Sequence, residues 1–380
     1  MRIGDFCKTN LHTYSGKEKW SEIHYLDTGN ITMGKIDEIQ KLIPGIDTIP
    51  SRAKRKVQIN DIIYSTVRPN QRHYGIIKSL NPNMLVSTGF VVITVDPQVA
   101  DPDFIYYYLT QDNVVETLQA IGEQSTSAYP SIKPVDIENL EIELPSFEVQ
   151  KAAGAMLRKL DEKCAVNNEI NDNLHQQAVA LFRSWFVDFA PFGGTMPIGW
   201  NTSSLGEVTE MGAGGDKPKI TSPNKTEDCP YPIFSNGLND YGLYGYTNEA
   251  KIHAESVTVS ARGTIGFVCL RHVPYVPIVR LVTLIPKREL ISAKYLYLYL
   301  RQLNISGTGT TQQQLTVPDF RKTEIVIPDR ETMTSFTELI TPMFEKMWVN
   351  EEENASLAKI RDTLLPKLMS GEVDVFAIQL

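Results

Sequence analysis

The sequence predicts an α+β fold in which two β-rich, mixed modules are joined by two long antiparallel coiled-coil helices, with a pseudo-two-fold internal repeat. Three observations lead to this prediction. Residues 136–181 and 319–364 align without a gap at a constant offset of 183 (319 − 136), which is too long for a solenoid repeat. Short apolar runs typical of strands precede each aligned segment. Within the aligned segments, apolar-type residues recur at four-three spacing, which is typical of a coiled coil.

Each repeat begins with the β-rich module. Strands are predicted at 89–95 and 279–285, where apolar runs are bounded by Pro, Asn and Ser. One aromatic-rich helix follows each strand, at 102–111 and at 292–302. Loops rich in Gly, Asn and Ser separate the strands.

Each repeat ends with a long helix that starts just after Pro145 or Pro328. The apolar seam runs from Ala153 to Trp185 in the first helix and from Phe336 to Leu368 in the second, and two asparagines lie at equivalent seam positions in each. A seam asparagine costs stability but fixes register and partner, so we expect the helices to pair with each other. The residues predicted to form this pairing are Leu160, Asn167, Asn171, Leu174, Leu181, Met343, Asn350, Asn354, Leu357 and Leu364.

The predicted helix length has a functional consequence. A helix of about 40 residues spans roughly 60 Å. A rod with a module at each end suits a bipartite site on a DNA duplex, where half-sites lie roughly 34 Å apart. A scaffold that organises protein partners is the rival use of such a shape.

Charge, hydropathy and cysteine content indicate which compartment and partners to expect, but they do not identify the function. The 380 residues carry a net charge of −8, which taken alone argues against DNA binding, although basic residues cluster locally at 52–56. No apolar run is long enough to span a membrane, no secretory signal opens the chain, and the four cysteines lie far apart. We therefore expect a cytoplasmic protein with no membrane partner and no disulfide framework.

Three short segments resemble those of a known family: the ends of the two long helices and the segment that opens the second β-rich module. Residues 180–189 read Ala-Leu-Phe-Arg-Ser-Trp-Phe-Val-Asp-Phe, and residues 364–375 read Leu-Leu-Pro-Lys-Leu-Met-Ser-Gly-Glu-Val-Asp-Val. Between them, Pro-Ile-Gly-Trp at 197–200 precedes Leu-Gly-Glu-Val at 205–208. In this order they resemble type I restriction–modification specificity (S) subunits, and the resemblance runs from Met1 to about Val375.

The resemblance implies a domain plan and a set of partners. Residues 1–145 and 196–328 become target-recognition domains, 146–195 the first spacer helix, and 329–380 the second spacer helix with a C-terminal tail. The chain is then a non-catalytic subunit that reads a bipartite site on double-stranded DNA and docks two methyltransferase subunits, with a restriction subunit if one is present. No cofactor is expected on this chain: S-adenosylmethionine belongs to the methyltransferase partner, and ATP and Mg to the restriction partner.

Polar loop residues in equivalent places of the two repeats are the candidate DNA contacts. Arginine, asparagine and glutamine make bidentate contacts with guanine or adenine edges, and glycine allows close approach to phosphate. The loops at 122–129 and 307–314 form a further matched pair. The predicted DNA-binding residues are Lys54, Arg55, Arg68, Asn70, Gln71, Arg72, His73, Asn236, Asn239, Ser260, Arg262, Thr264, Gln312 and Gln313.

Motifs for catalysis are missing from the sequence. The nearest approach to an Asn-Pro-Pro-aromatic methyltransferase motif, at 81–84, lacks the second proline and the aromatic residue. The phosphate-loop-like run at 29–36 has Ile36 where a hydroxyl residue is needed, and the six histidines show no metal-binding pattern. The sequence thus predicts no catalytic and no metal site, which disfavours a self-sufficient methyltransferase or nuclease. A non-DNA-binding protein-interaction scaffold remains the alternative.

Overall fold

The computed structural model describes residues 1–15, 17–125, 129–306 and 314–377. The chain divides into two compact units. Unit 1 contains residues 1–167 and 352–380, and unit 2 contains residues 168–351. Both long helices pass from one unit into the other, so each unit has its own β-rich module and one segment of each helix.

Unit 1 contains ten short strands in its described part. A four-stranded antiparallel sheet has the order β1-β10-β7-β8, a second sheet has the order β5-β2-β9-β6 with β2 parallel to β9, and β3 pairs with β4. The strands are β1 (Cys7–Thr9), β2 (Ile23–Leu26), β3 (Ile31–Thr32), β4 (Lys35–Ile36), β5 (Gln40–Leu42), β6 (Ala53–Lys56), β7 (Ile62–Ser65), β8 (Tyr74–Ile76), β9 (Met84–Ser87) and β10 (Phe90–Val95).

The helices of unit 1 pack on the first of these sheets. They are α1 (Pro102–Thr110), α2 (Asp112–Glu123), α3 (Pro134–Glu138) and the first part of α4 (Phe147–Phe186). One continuous core joins the sheet and α1 to both long helices and to the C-terminal segment, since Phe104, Leu157, Leu368 and Val375 are all buried in it. The C-terminal tail therefore belongs to the first module.

Unit 2 repeats this plan. One sheet has the order β12-β18-β15-β16, a second has the order β14-β13-β17 with β13 parallel to β17, and β11 pairs with β19. The strands are β11 (Asn201–Ser204), β12 (Thr209–Ala213), β13 (Tyr231–Phe234), β14 (Leu243–Thr247), β15 (Ser256–Val259), β16 (Val268–Arg271), β17 (Val276–Pro277), β18 (Val282–Pro286) and β19 (Glu324–Ile327). The helices are α5 (Leu205–Val208), α6 (Ala293–Gln302), α7 (Val317–Phe320) and α8 (Arg330–Met369).

The two units share one topology. Strands β1, β10, β7 and β8 correspond in order to β12, β18, β15 and β16, and the parallel pair β2–β9 corresponds to β13–β17. Within the described residues, the β3–β4 pair, β6 and α2 have no counterpart in unit 2. The predicted duplication and fold class are thus confirmed, with extra elements in unit 1.

The aromatic helices α1 and α6 start at equivalent caps. Asp101 accepts a hydrogen bond from Phe104 N, and Ser292 accepts one from Tyr295 N. The long helices contact these caps differently. A Cβ at Gly154 of α4 would lie 2.6 Å from Asp101 Oδ1, so only glycine fits there. At the equivalent place in α8, Thr337 Oγ1 lies 3.0 Å from Ser292 Oγ.

Three details of the sequence-based prediction are wrong. The strand predicted at 279–285 begins at Val282, because Val279 and Arg280 adopt a left-handed turn with φ of 53° and 59°. The helix predicted at 102–111 forms as α1, but a second helix, α2, which the sequence does not predict, follows it directly. The predicted four-three spacing also fails near the end of α4, where Phe182 and Phe186 are buried in place of Leu181 and Trp185.

The change of seam has a geometric cause. A straight helix of 3.6 residues per turn drifts away from a 3.5-residue repeat, so the buried stripe moves to four-four spacing. Leu181 and Trp185 are consequently half-buried at the margin of the unit 2 core. No described helix is both long and apolar enough to cross a membrane.

Candidate functional site

Two equivalent loops carry the arginines predicted as DNA contacts. Arg68 lies three residues after the end of β7 at Ser65, and Arg262 lies three residues after the end of β15 at Val259. Strands β7 and β15 occupy the same position in their sheets. The duplication therefore brings one arginine to the same end of the sheet in each unit.

In unit 1, the arginine loop contacts the segment that leads into α3. Ile132 N donates a hydrogen bond to Thr66 O at 2.8 Å. The Arg68 guanidinium carbon lies 4.4 Å from the centroid of the Tyr129 ring, and its backbone is left-handed with φ of 50°. A cation–π contact at an exposed site contributes about 0.5–1 kcal/mol. It orients the guanidinium through its face, which leaves the N–H donors at its edge available to another group.

In unit 2, the corresponding loop contacts the segment before α7. Leu315 N donates to Ala261 O at 3.0 Å, and Arg262 Nη2 donates to Gln314 Oε1 at 3.1 Å. Arg262 is exposed, and among the described residues its guanidinium donates to Gln314 alone, which leaves its other donors available. The arginines thus have equivalent positions but different neighbours.

The rest of the unit 1 loop separates into exposed and anchored residues. Asn70 and Gln71 are exposed in a 3₁₀ turn at 69–71. Arg72 forms an ion pair with Asp112 at 2.7 Å; a pair of this kind on the surface contributes about 0–1 kcal/mol, so it can exchange for a phosphate. His73 Nδ1 lies 2.6 Å from Ile31 O, a contact that anchors the end of the loop.

The basic residues of β6 point in different directions. Lys54 is exposed, whereas Arg55 is half-buried, and burial lowers the pKa of the Arg55 guanidinium. Arg55 Nε is buried with no hydrogen-bond partner in the described part of the chain. Lys54 therefore has the geometry of a surface contact, whereas the Arg55 side chain is partly withdrawn from solvent.

Ser260 and Thr264 do not have the geometry expected of direct DNA contacts. The Ser260 residue is only 2% exposed, and its backbone closes the turn between β15 and β16 through Phe267 O and Gly266 N. Thr264 Oγ1 is also buried, without a hydrogen-bond partner among the residues described. The composition of a loop favours polar contacts, but it does not reveal which side of the turn faces the core.

The asparagines of unit 2 have different roles. Asn239 is exposed in a turn at 239–242. The Asn236 amide is instead engaged internally, because Nδ2 donates to Val279 O and Oδ1 accepts from Ala261 N, each at 2.7 Å. Gln312 and Gln313, together with most of the loop at 307–314 and part of the loop at 122–129, lie outside the described residues.

Two arginines near these loops are absent from the sequence-based set. Arg280 is exposed in the turn before β18, which Asn236 connects to the Arg262 loop. Arg52 is exposed before β6, and its carbonyl accepts a hydrogen bond from Thr88 N in the turn before β10. The sequence around position 280 favours a strand, and no local signal in it reveals the proximity of Arg280 to Arg262.

In unit 1 the long helices pair through polar contacts. Asn167 is fully buried, and its Nδ2 donates to Asn354 Oδ1 at 2.9 Å and to Glu353 Oε2 at 2.8 Å. Asp161 and Arg361 form an ion pair at 2.8 Å, and the carboxylate raises the pKa of the guanidinium against the effect of burial. Leu160 is buried, and Leu357 and Leu364 are half-buried.

In unit 2 the pairing uses the other two seam asparagines. Asn350 is fully buried, its Nδ2 donates to Asn171 Oδ1 at 2.7 Å, and Asn171 Nδ2 donates to Met347 O at 3.1 Å. Leu174, Leu181 and Met343 are half-buried around the core. In both units the contacting residue numbers increase along one helix as they decrease along the other, so the pairing is antiparallel.

The described residues contain no group of three or more His, Cys, Asp or Glu side chains that could hold a metal ion. The four thiols are free. Burial raises the pKa of the Cys7 thiol to about 12, so this group is a poor nucleophile at neutral pH.

Comparison with known proteins agrees with the duplicated fold. The family model for the type I restriction modification DNA specificity domain matches twice, over residues 1–176 and 197–357. The chain is 25% identical to the type I restriction enzyme HindI specificity subunit of Haemophilus influenzae, with 98% of each chain covered. It is 26% identical to the MjaIX specificity subunit of Methanocaldococcus jannaschii, over 72% of this chain and 69% of that one.

A solved structure shows the same fold. The crystal structure of a type I restriction–modification S subunit from M. genitalium aligns with a TM-score of 0.61 at 17% identity, covering 97% of this chain and 95% of that one. The alignment extends over both units, so the duplicated architecture is that of this structural class.

Proposed function

Because this chain belongs to the family of type I restriction–modification DNA specificity subunits, which are non-catalytic and determine DNA sequence specificity, we propose that each of its units reads one half of a split target. The observation that carries the proposal is the arginine loop at the same topological position in both units. Arginine at such a loop can donate two hydrogen bonds to guanine or bind phosphate.

The two half-sites should differ in sequence. Arg68 is flanked by Tyr129 and by the exposed amides of Asn70 and Gln71, whereas Arg262 is flanked by Gln314 and followed by Gly263. A loop with two exposed amides can select adenine, and a loop with glycine brings its backbone close to phosphate. An asymmetric bipartite target follows from this difference.

We further propose two methyltransferase subunits as partners. Val166 in unit 1 and Val349 in unit 2 are equivalent at the offset of 183, and they are 49% and 56% exposed. Each directly precedes a fully buried asparagine of the helix pair. One apolar contact repeated in both units suits one copy of the same partner on each. S-adenosylmethionine would then be held by the methyltransferase, and ATP with Mg by a restriction subunit.

The partner proposal is tested by native mass spectrometry of the chain mixed with its methyltransferase. We expect two methyltransferase copies on the wild type and mainly one on either Val166→Asp or Val349→Asp. Val99→Asp is the matched control, because Val99 is an exposed valine in the turn after β10 and belongs to neither long helix. A wild-type stoichiometry of one, or two copies retained on both variants, would contradict the proposal.

The DNA-reading proposal is tested by mapping methylated adenines in a methylation-free host that expresses the chain with its methyltransferase. We expect one split motif with two unlike halves and a fixed gap. No new methylation, from a complex that forms and binds S-adenosylmethionine, would instead favour a protein-interaction scaffold.

A further inference from the structure

Building on the proposed function, we propose that Asn236 is a positioning residue that sets the spacing of two DNA-binding arginines, Arg262 and Arg280, on the second half-site. Arg280 would be a direct DNA contact of unit 2. Asn236 would act through both arginines rather than by touching DNA.

The Asn236 amide connects two turns that are distant in sequence. Its Oδ1 accepts from Ala261 N and its Nδ2 donates to Val279 O, each at 2.7 Å. Ala261 directly precedes Arg262, and Val279 directly precedes Arg280. The two hydrogen bonds hold these backbone atoms within about 8 Å of each other. Two base-pair steps cover a similar span, because successive pairs rise about 3.4 Å.

The Arg280 turn is held on two further sides. Ile278 N donates to Phe234 O, and Arg280 N donates to Gly214 O at 2.8 Å. A Cβ at Gly214 would lie 2.7 Å from the Ile278 backbone, so glycine is needed for this close approach. Together with the Asn236 bond to Val279 O, these contacts fix the turn, although Val279 and Arg280 are left-handed and exposed.

The Arg280 side chain is free to bind an external partner. It is exposed, and its guanidinium makes no hydrogen bond or ion pair with any part of the chain that the structure describes. An exposed non-glycine residue at positive φ is strained, and such strain is common where a side chain is presented to a ligand. A rigid turn that presents an unpaired arginine beside Arg262 suits a bidentate contact with a guanine edge in the major groove.

Unit 1 connects its equivalent turns differently. Thr66, at the position of Ser260, contacts Gly89 O directly through both its backbone N at 2.8 Å and its Oγ1 at 2.9 Å. The position equivalent to Arg280 is Thr88, which carries no charge. The asparagine connector and the second arginine are thus specific to unit 2, and their loss should affect one half-site alone.

The experiment measures affinity by fluorescence anisotropy of the complex with methyltransferase, on the duplex identified by methylation mapping. Three duplexes are compared: the intact target, one with the first half-site scrambled, and one with the second scrambled. We expect Arg280→Ala to weaken binding to the intact target by about 5- to 100-fold. The same variant should equal wild type when the second half-site is scrambled.

The control is Arg288→Ala, because Arg288 is an exposed arginine in the turn at the other end of β18. We expect it to bind like wild type on all three duplexes. Asn236→Asp separates positioning from folding, since aspartate still accepts from Ala261 N but cannot donate to Val279 O. In this background Arg280→Ala should weaken binding less than twofold further, while Arg262→Ala retains its full effect.

The outcomes are distinguishable. If wild type shows no preference for either half-site, the proposed function fails. If wild type discriminates but Arg280→Ala matches Arg288→Ala, or Asn236→Asp and Arg280→Ala have independent effects, only this inference is overturned. Equal thermal unfolding of each variant and the wild type excludes a loss of binding caused by unfolding.

Discussion

Removing Asn171 should destabilise the protein more than removing Asn350, although Asn350 is the fully buried partner. Asn350 Nδ2 donates to Asn171 Oδ1 at 2.7 Å, and Asn350 Oδ1 has no hydrogen-bond partner in the described ranges. Leaving a buried polar group unpaired costs about 1–3 kcal/mol, whereas a satisfied hydrogen bond contributes about 0.5–1.5 kcal/mol. Because the first cost is larger than the second, the variant that leaves a buried group unpaired is expected to be the more destabilised one.

The free energies of unfolding follow from these terms. Asn171→Ala removes the acceptor and leaves the buried Asn350 amide without any partner, a loss of about 2–3 kcal/mol. Asn350→Ala loses the same hydrogen bond and leaves a small cavity, together about 1–2 kcal/mol. It also removes an unpaired buried oxygen, which offsets about 1–3 kcal/mol. The net effect of Asn350→Ala therefore lies between a gain of about 2 kcal/mol and a loss of about 1 kcal/mol.

Urea unfolding followed by circular dichroism measures the difference. Asn354→Ala is the matched control in unit 1, where Asn167 Nδ2 keeps Glu353 Oε2 at 2.8 Å after the change. It should therefore cost less than Asn171→Ala. If Asn350→Ala is as destabilising as Asn171→Ala, the argument from unpaired buried groups is refuted.

Three further results are expected. Arg68→Ala should weaken recognition of the first half-site alone, by about 1–3 kcal/mol, and an unchanged methylation pattern and affinity would remove it as a DNA contact. Burial and then the charge of Arg301 lower the pKa of His175 below its ordinary 6.5, so stability present above pH 6.5 is lost as pH falls through the folded pKa. His175→Gln should shrink the fall in melting temperature between pH 7 and pH 5; an identical fall would contradict this. Four residues inserted into both long helices add roughly 6 Å of helix and should lengthen the gap of the methylated motif by about 2 base pairs, while an unchanged gap would argue against the helices as the spacer.

Periodicity reveals the long helices because it depends only on spacing along one helix. Upstream of the aligned segments, Ser-Thr-Val-Arg at 65–68 resembles Val-Ser-Ala-Arg at 259–262, and the two arginines do lie at the same end of equivalent strands. Asn167 and Asn350 are recognisable from the period alone, since both lie where the seam requires an apolar residue. Duplication and helical period are therefore the features that a single sequence shows best.

Contacts between distant segments are not accessible in this way. Arg280 lies in an apolar run that favours a strand, and hydrogen bonds with distant segments, including Arg280 N to Gly214 O, hold it in a turn. Ser260 is polar and follows a strand, yet it is buried by packing against the end of that strand's hairpin. Asn236 has the side chain of a base-reading residue, whereas its hydrogen-bond partners lie 25 and 43 residues away in the same chain. Which side of a loop faces the core depends on such partners.

The central claim is that each unit reads its own half of the target, and exchanging one recognition segment tests it most directly. Residues 196–328 would be replaced by the matching segment of a related specificity subunit, and methylated adenines mapped for the parent and the exchange. The account predicts that one half of the motif changes while the other half remains. Both halves changing, or neither, would contradict it.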